Sequence, residues 1–231
     1  MPTTAPDKEK LLKEMIKNAV HFGHKPCKWN PKMKPYLYGK HDGVHVFDLN
    51  KTADGLAVAT EFLHQCVRES KTVLFVSTKA QAIQIMKDTA EACGMPYITQ
   101  KWVPGLLTNF TTIKKRIKYL RDLKEQDASG ELDKYTKKEA LKMRKTIIKL
   151  QEALGGLENL TKRPDVLFLV DVVRDHIAVE EANKLNIPIV AIVDSNGDPT
   201  RITHPIPGND DAINSLDFLV KKIGGALERK K

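Results

Sequence analysis

Aromatic residues are scarce in this 231-residue chain, at 6%. No apolar run approaches the ~18–20 residues that a membrane helix requires. The three cysteines, Cys27, Cys66 and Cys93, are an odd count without a C-x-x-C pair, which argues against a disulfide framework. Glycine is missing where a phosphate cradle needs it. After the apolar run that starts at Val73, the turn reads Ser77-Thr78-Lys79-Ala80-Gln81. A dinucleotide site requires G-x-G-x-x-G there, so that backbone approaches the pyrophosphate at a helix N-terminus. The chain also has no G-x-x-x-x-G-K-[ST] loop and no G-x-S-x-G nucleophile elbow. Together these gaps count against a nucleotide-binding enzyme and a hydrolase. The stretch Met1 to Lys10, with Asp7 and Glu9 among its lysines, has the pattern of neither a secretory signal nor an acid-poor transit peptide. The cytoplasm is the expected compartment.

What is abundant is positive charge, and it is clustered. The formal net charge is +9, and residues 101–150 alone carry 14 basic against 6 acidic side chains. Residues 1–51 carry 10 against 5, while the rest of the chain is slightly acidic. Clustered Lys and Arg suit a partner with a phosphate backbone, whose counterions they release. A solvated helix face is the alternative reading of charge alone.

Two segments repeat one plan. Val73-Leu74-Phe75-Val76 leads into a helical stretch from Lys79 to Cys93, then Gly94-Met95-Pro96 and Tyr97-Ile98. Val166-Leu167-Phe168-Leu169-Val170 leads into a helical stretch from His176 to Leu185, then Asn186-Ile187-Pro188 and the apolar run Ile189 to Val193. Continuous Val- and Ile-rich runs fit strands covered on both faces. Gly94 and Asn186 stand where a helix stops on a left-handed residue. Two βαβ units predict an α/β fold: a Rossmann-like parallel sheet with helices on both faces. A further strand is predicted over Val44–Leu49 and a helix over Thr52–Arg68. A strand near Ile202–Ile206 and a helix opened by Asp210 or Asp211 as its cap close the chain.

Residues 111–155 interrupt the pattern. Ile113, Ile117, Leu120 and Leu123 lie at helical spacing, and Thr136 with Glu139 forms a capping box after a turn at 127–130. Met143, Ile147, Leu150 and Leu154 form a narrow seam, and Gly155-Gly156 ends the second helix. An inserted antiparallel coiled-coil hairpin is predicted, with residues 1–110 and 156–231 together forming the α/β domain.

The most distinctive stretch is HFGHKPCKWNPKMKPYLYG, residues 21–39, whose lysines alternate with Trp29, Tyr36 and Tyr38. Rings stack on splayed bases and lysines meet phosphates in RNA surfaces; in the alternative, the rings pin the loop to the core. No nucleophile stands beside a base. Cys66 and Cys93 read as packing residues, and His45 as structural or surface. Asp171, Asp175, Asp194 and Asp198 follow strand ends, where α/β sheets place their sites, with turn and helix capping as the alternative. The chain is not expected to be an enzyme.

HFGHKPCKWNPKMKPYLYG closely resembles the N-terminal signature of the bacterial-type small-subunit ribosomal protein S2 family. The resemblance continues through LLTNFTTIK (106–114), YTKKEALKM (135–143), LGGL (154–157), RPDVLFLVD (163–171), EANKLNIPIVAIVDSNGDP (181–199) and IPGNDDAINS (206–215). Pro26-Cys27 departs from the polar residue and Arg more usual in that family. The resemblance implies a structural rRNA-binding constituent of the small subunit. Its partners would be small-subunit rRNA, neighbouring ribosomal proteins and the mRNA-binding protein S1, with no membrane and no obligate homo-oligomer. A nucleotide- or sugar-phosphate-binding α/β enzyme is the runner-up.

The RNA-contact candidates in the loop are Lys25, Lys28, Trp29, Lys32 and Lys34. In the hairpin they are Lys114, Lys115, Lys118, Arg121, Lys137, Lys138, Lys142, Arg144 and Lys145. No cofactor is required. A structural divalent metal, zinc or magnesium, has candidate ligands in His24, Asp194, Asp210 and Asp211; capping by the aspartates, with His24 in the polar network, is the alternative.

Overall fold

The computed structural model describes residues 5–228, so the ends of the expected α/β domain (1–4 and 229–231) lie outside the described residues. Helix α1 (Ala5–Lys17) leads into the proline-rich loop, which forms two 3-10 turns, Pro26–Lys28 and Pro31–Tyr36. Prolines lack the amide donor that a longer helix would need. Strands β1 (Leu37–His41) and β2 (Val44–Phe47) pair antiparallel about Asp42 and Gly43, both at positive φ (49° and 79°). Positive φ at both turn positions matches the twist of a tight hairpin. The strand expected over Val44–Leu49 therefore belongs to a separate two-stranded sheet. It stops at Phe47 because Asp48 caps helix α2 (Leu49–Arg68), its carboxylate accepting from the Asn50 amide.

The main sheet follows. Strand β3 (Val73–Val76), helix α3 (Ile83–Cys93) and strand β4 (Tyr97–Ile98) form the first unit. Helices α4 (Phe110–Ala128) and α5 (Lys137–Leu154) come next. Strand β5 (Val166–Val170), helix α6 (His176–Lys184) and strand β6 (Ile189–Val193) form the second unit. Strand β7 (His204–Pro207) and helix α7 (Ile213–Leu227) end the described chain. All five strands pair parallel in the order β4-β3-β5-β6-β7. The winding reverses between β3 and β5, the kind of place where open α/β sheets bind ligands.

Every residue of β3, β5 and β6 is buried, because helices cover both faces. Val73, Phe75, Phe168 and Ile192 pack under α2, α3 and α7; Leu74, Val76, Leu169 and Val193 pack on the other face with α6 and the base of α4. The expected left-handed stops are present, with φ 65° at Gly94 and 54° at Asn186. Two helix starts differ from expectation. Lys79 precedes α3 instead of opening it, and α7 begins at Ile213 without a side-chain cap. Asn209, not either aspartate, accepts from the amides of Asp211 and Ala212.

On α4, Phe110, Ile113, Ile117, Leu120 and Leu123 are buried, as their spacing predicts. The Thr136–Glu139 capping box opens α5 as expected. Arg144 of α5 reaches Asp127 at the end of α4 (2.9 Å), while Leu154 shares a core with Ile113 and Ile117. The end of α5 differs: Gly155 keeps helical angles (φ −57°) and the chain tightens into a 3-10 turn. Gly156 is needed for space, since a Cβ there would overlap the Tyr97 carbonyl.

One buried carboxylate fixes how the chain enters α4. Glu181 of α6 accepts from Trp102 Nε1, the amides of Gly105, Leu107 and Thr108, and Thr108 Oγ1, at 2.7–3.1 Å. Burial alone would raise this carboxyl, but the five donors outweigh it and hold Glu181 below the usual range. A lowered carboxylate pKa stabilises the fold above the unfolded value and ceases to do so as pH falls through the folded one. Glu181→Gln should therefore cost about 3 kcal/mol at neutral pH in urea unfolding. The gap from the wild type should narrow below about pH 4; a gap independent of pH would place the effect in packing.

Candidate nucleic-acid interface and acidic cluster

The loop at 21–39 is anchored by backbone. Gly23 N donates to His45 O (2.8 Å), Asn30 N to Ser195 O (2.7 Å), and His24 N to Ser195 Oγ (2.8 Å). Gly23 allows this approach, because a Cβ would stand 2.9 Å from Ser195 Oγ. Trp29 is half-buried with its ring 5.0 Å from that of His45, which is itself buried, so this tryptophan pins the loop to the protein and keeps part of its ring exposed. Lys25, Lys28 and Lys34 are exposed and make no ion pair among the described residues. Lys32 differs: its ammonium lies 2.6 Å from Asp198 and 3.2 Å from Thr200, tying the loop to the β6–β7 connection.

The cations of α4 and α5 divide in the same way. Lys114, Lys115, Lys118, Arg121, Lys137, Lys138, Lys142 and Lys145 are exposed and without an ion pair among the described residues. Arg144 faces Asp127, and Lys124 faces Glu158 at 2.7 Å. Two basic surfaces thus carry free charge, each held on an element pinned elsewhere.

The acidic cluster lies at the carboxyl ends of the strands. Asp171 follows β5, Asp194 follows β6, and Asp210 and Asp211 follow β7. A residue absent from the sequence-based candidates completes it. Lys79, after β3, is 7% exposed, with Nζ 2.5 Å from both Asp210 Oδ1 and Asp211 Oδ1 and 3.6 Å from Asp171 Oδ2. The sequence held a signal for it: a lone lysine after β3, on the edge where three other loops bring aspartates. Burial, with Asp194 and Asp171 nearby, pushes Asp210 up to about 7 against the pull of Lys79. Asp194 keeps its place through the Ser195 amide and hydroxyl and the Asp210 amide. The expected capping role of Asp210 and Asp211 is thereby replaced, because a buried ammonium is a stronger partner than a helix end.

His24 completes the set, with Nδ1 3.0 Å from Asp194 Oδ1 and Nε2 3.4 Å from Asp211 Oδ2. Close contact with the Asp194 carboxylate, with Asp211 and Asp210 nearby, raises its pKa despite burial.

The sequence profile described as Ribosomal protein S2 matches residues 15–229. The chain belongs to the ribosomal protein S2 family. It is 48% identical over 217 residues to small ribosomal subunit protein uS2 of Dictyoglomus thermophilum, covering 94% of this chain and 88% of that one. It is 46% identical over 216 residues to uS2 of Nitratiruptor sp., covering 94% and 81%. It is 45% identical over 216 residues to uS2c of Cyanophora paradoxa, covering 94% and 93%. The S2 family consists of structural ribosomal proteins without catalysis, in keeping with the missing phosphate loop and nucleophile elbow.

Three of the S2-like motifs meet at one place: residues 21–24, 194–198 and 206–211 converge on the cluster. His24, Asp194, Asp210 and Asp211 each offer a ligand atom within 4.8 Å of the others. The set suits a structural divalent cation: one imidazole nitrogen and three carboxylates, with His24 Nδ1 buried and off hydrogen-bond geometry despite its proximity to Asp194. A cation there would share Asp210 and Asp211 with Lys79.

Removing Lys79 leaves Asp210 buried beside other carboxylates. Lys79→Met should cost about 3–5 kcal/mol in urea unfolding, and adding Asp210→Asn should restore part of it. No loss in Lys79→Met would overturn this account of the cluster. For the cation, elemental analysis of protein purified without a histidine tag, with melting temperature before and after chelation, is the test. Occupancy predicts near-stoichiometric metal that His24→Ala loses. A melting temperature indifferent to chelator leaves the cluster to Lys79 alone.

Proposed function

We propose that this chain is a structural, RNA-binding constituent of the small ribosomal subunit. In this reading it contacts small-subunit rRNA and neighbouring ribosomal proteins, among them the mRNA-binding protein S1, and works in the cytoplasm on the ribosome. No helix among the described residues is long and apolar enough to cross a membrane.

The observation that carries the reading is the division of cations. Among the described residues, eight of the nineteen other lysines and arginines sit in ion pairs within the chain, against three of the sixteen on α4, α5 and the 25–34 loop, where the other thirteen are exposed and clustered. Free, clustered cations are what a phosphate backbone recruits, and each neutralised phosphate adds roughly 0.7–0.9 to the salt slope of log affinity. Residues 111–155 act as a coiled-coil arm inserted into the α/β domain of residues 1–110 and 156–231. RNA contacts fall to Lys114, Lys115, Lys118, Arg121, Lys137, Lys138, Lys142 and Lys145 on the arm and to Lys25, Lys28, Lys34 and Trp29 in the loop. Arg144 and Lys32 serve chiefly to brace these elements.

Co-sedimentation with small subunits tests the arm. A variant lacking residues 112–154 that still folds should fail to incorporate; incorporation equal to the full chain would overturn the assignment. In the loop, the triple Lys25/Lys28/Lys34→Ala variant should weaken binding to small-subunit rRNA and lower the salt slope by roughly 2–3, with little change in melting temperature. Lys32→Ala, which removes an exposed pair, should change stability by about 1 kcal/mol or less. An unchanged salt slope in the triple variant would remove the loop from the RNA surface.

A further inference from the structure

After α5 the chain turns back past α4 and leaves a cleft of about 400 Å³ between the two. Its floor is apolar, made by the edges of Ile117 and Leu160, which are nearly buried in one core, and by the methylene stems of the lysines and arginine around them. Its rim carries Lys114, Lys115, Lys118 and Arg121, and no carboxylate lines it. The nearest acid along the returning chain, Glu158, is turned to Lys124. Thr111 and Thr161 add hydroxyls at the edge.

An apolar floor with a wholly cationic rim suits a ligand having a flat apolar body and an anion on either side. We propose that this cleft receives one unstacked nucleotide of single-stranded RNA, its base against the lysine stems over the edges of Ile117 and Leu160 and its flanking phosphates on Lys114, Lys118 and Arg121. The proposal rests on the RNA-binding reading above and adds which form of RNA the arm takes.

Two other occupants fit less well. An A-form duplex keeps its bases stacked and offers mainly backbone and 2′-hydroxyls, so it leaves the floor uncovered. An acidic amphipathic helix docks through anchors at i, i+3 or i+4, and i+7, an apolar strip of roughly 10 Å. Here the apolar patch is the edges of two side chains and the stems about them, too short for such a strip. The cations continue along α4 over about two turns, as suits a chain with a charge at every residue.

The test uses the full chain and a short oligouridine carrying one 4-thiouridine. Photocrosslinks should map to residues 111–121 and 157–162. Thr161→Arg fills the cleft while adding a cation at an exposed position. It should weaken binding of the oligouridine about tenfold, although charge alone would tighten it. Circular dichroism and melting temperature establish that the variant is folded, and Thr111→Arg provides a second way to fill the cleft. Binding with crosslinks elsewhere, equal competition by an RNA duplex, or unchanged or tighter binding by both variants would overturn the cleft and leave the arm's affinity for RNA standing. Displacement of the oligouridine by an acidic amphipathic peptide that crosslinks to the same residues would reassign the cleft to protein. Failure of the wild type to bind either single-stranded or duplex RNA would overturn both readings.

Discussion

A single buried ammonium holds the carboxyl edge of the sheet together. Lys79 leaves β3 and reaches Asp210 and Asp211 beyond β7, across two intervening strands, with Asp171 of the β5 loop close by. Without it, several carboxylates converging at low exposure would repel one another, and Asp210 would lie buried without its counter-charge. The N-terminal loop depends on the same edge. His24 sits against Asp194 and Asp211, and Ser195, held to Asp194, receives the loop's backbone. In a doubly wound sheet this edge is the usual place for a ligand's phosphates. Here the protein's own lysine lies among carboxylates, which turns a ligand crevice into a joint between loops.

The remaining charge falls into two populations that differ in partner and therefore in role. Glu181 and Lys79 are buried and fully engaged, and they set where α4 and the N-terminal loop go. Lys32, Lys124 and Arg144 sit in exposed or half-exposed pairs that brace the same elements at small energetic gain. The unpaired cations then face outward from a scaffold that does not need them. Such charges can contribute to affinity for a polyanion without a cost in internal contacts, and salt weakens their contribution first.

Patterns that belong to one element are legible in the sequence. The apolar runs at 73–76, 166–170 and 189–193, the stops at Gly94 and Asn186, the buried face of α4 and the Thr136–Glu139 capping box all follow from local stereochemistry and burial period. Errors arose where a distant partner competed with a local preference. Asp210 and Asp211 read as helix caps, yet Lys79 captured both and Asn209 took the capping hydrogen bonds. The pattern over Val44–Leu49 predicts a strand but not half of a hairpin, since the partner Leu37–His41 carries glycine and charge in place of an apolar pattern.

The sequence by itself determined the class of fold, the existence of two basic helices between the βαβ units and, through its ordered motifs, membership of the ribosomal protein S2 family. These depend on periodicity, composition and residue order, which one dimension preserves. Only the tertiary structure decided which cations are free. Lys32 and Lys34 are alike in sequence, but one meets Asp198 from a segment far along the chain and the other meets none. It also decided that Lys79 belongs with His24 and the aspartates, because five loops separated by whole strands and helices come to one edge only when the sheet is assembled.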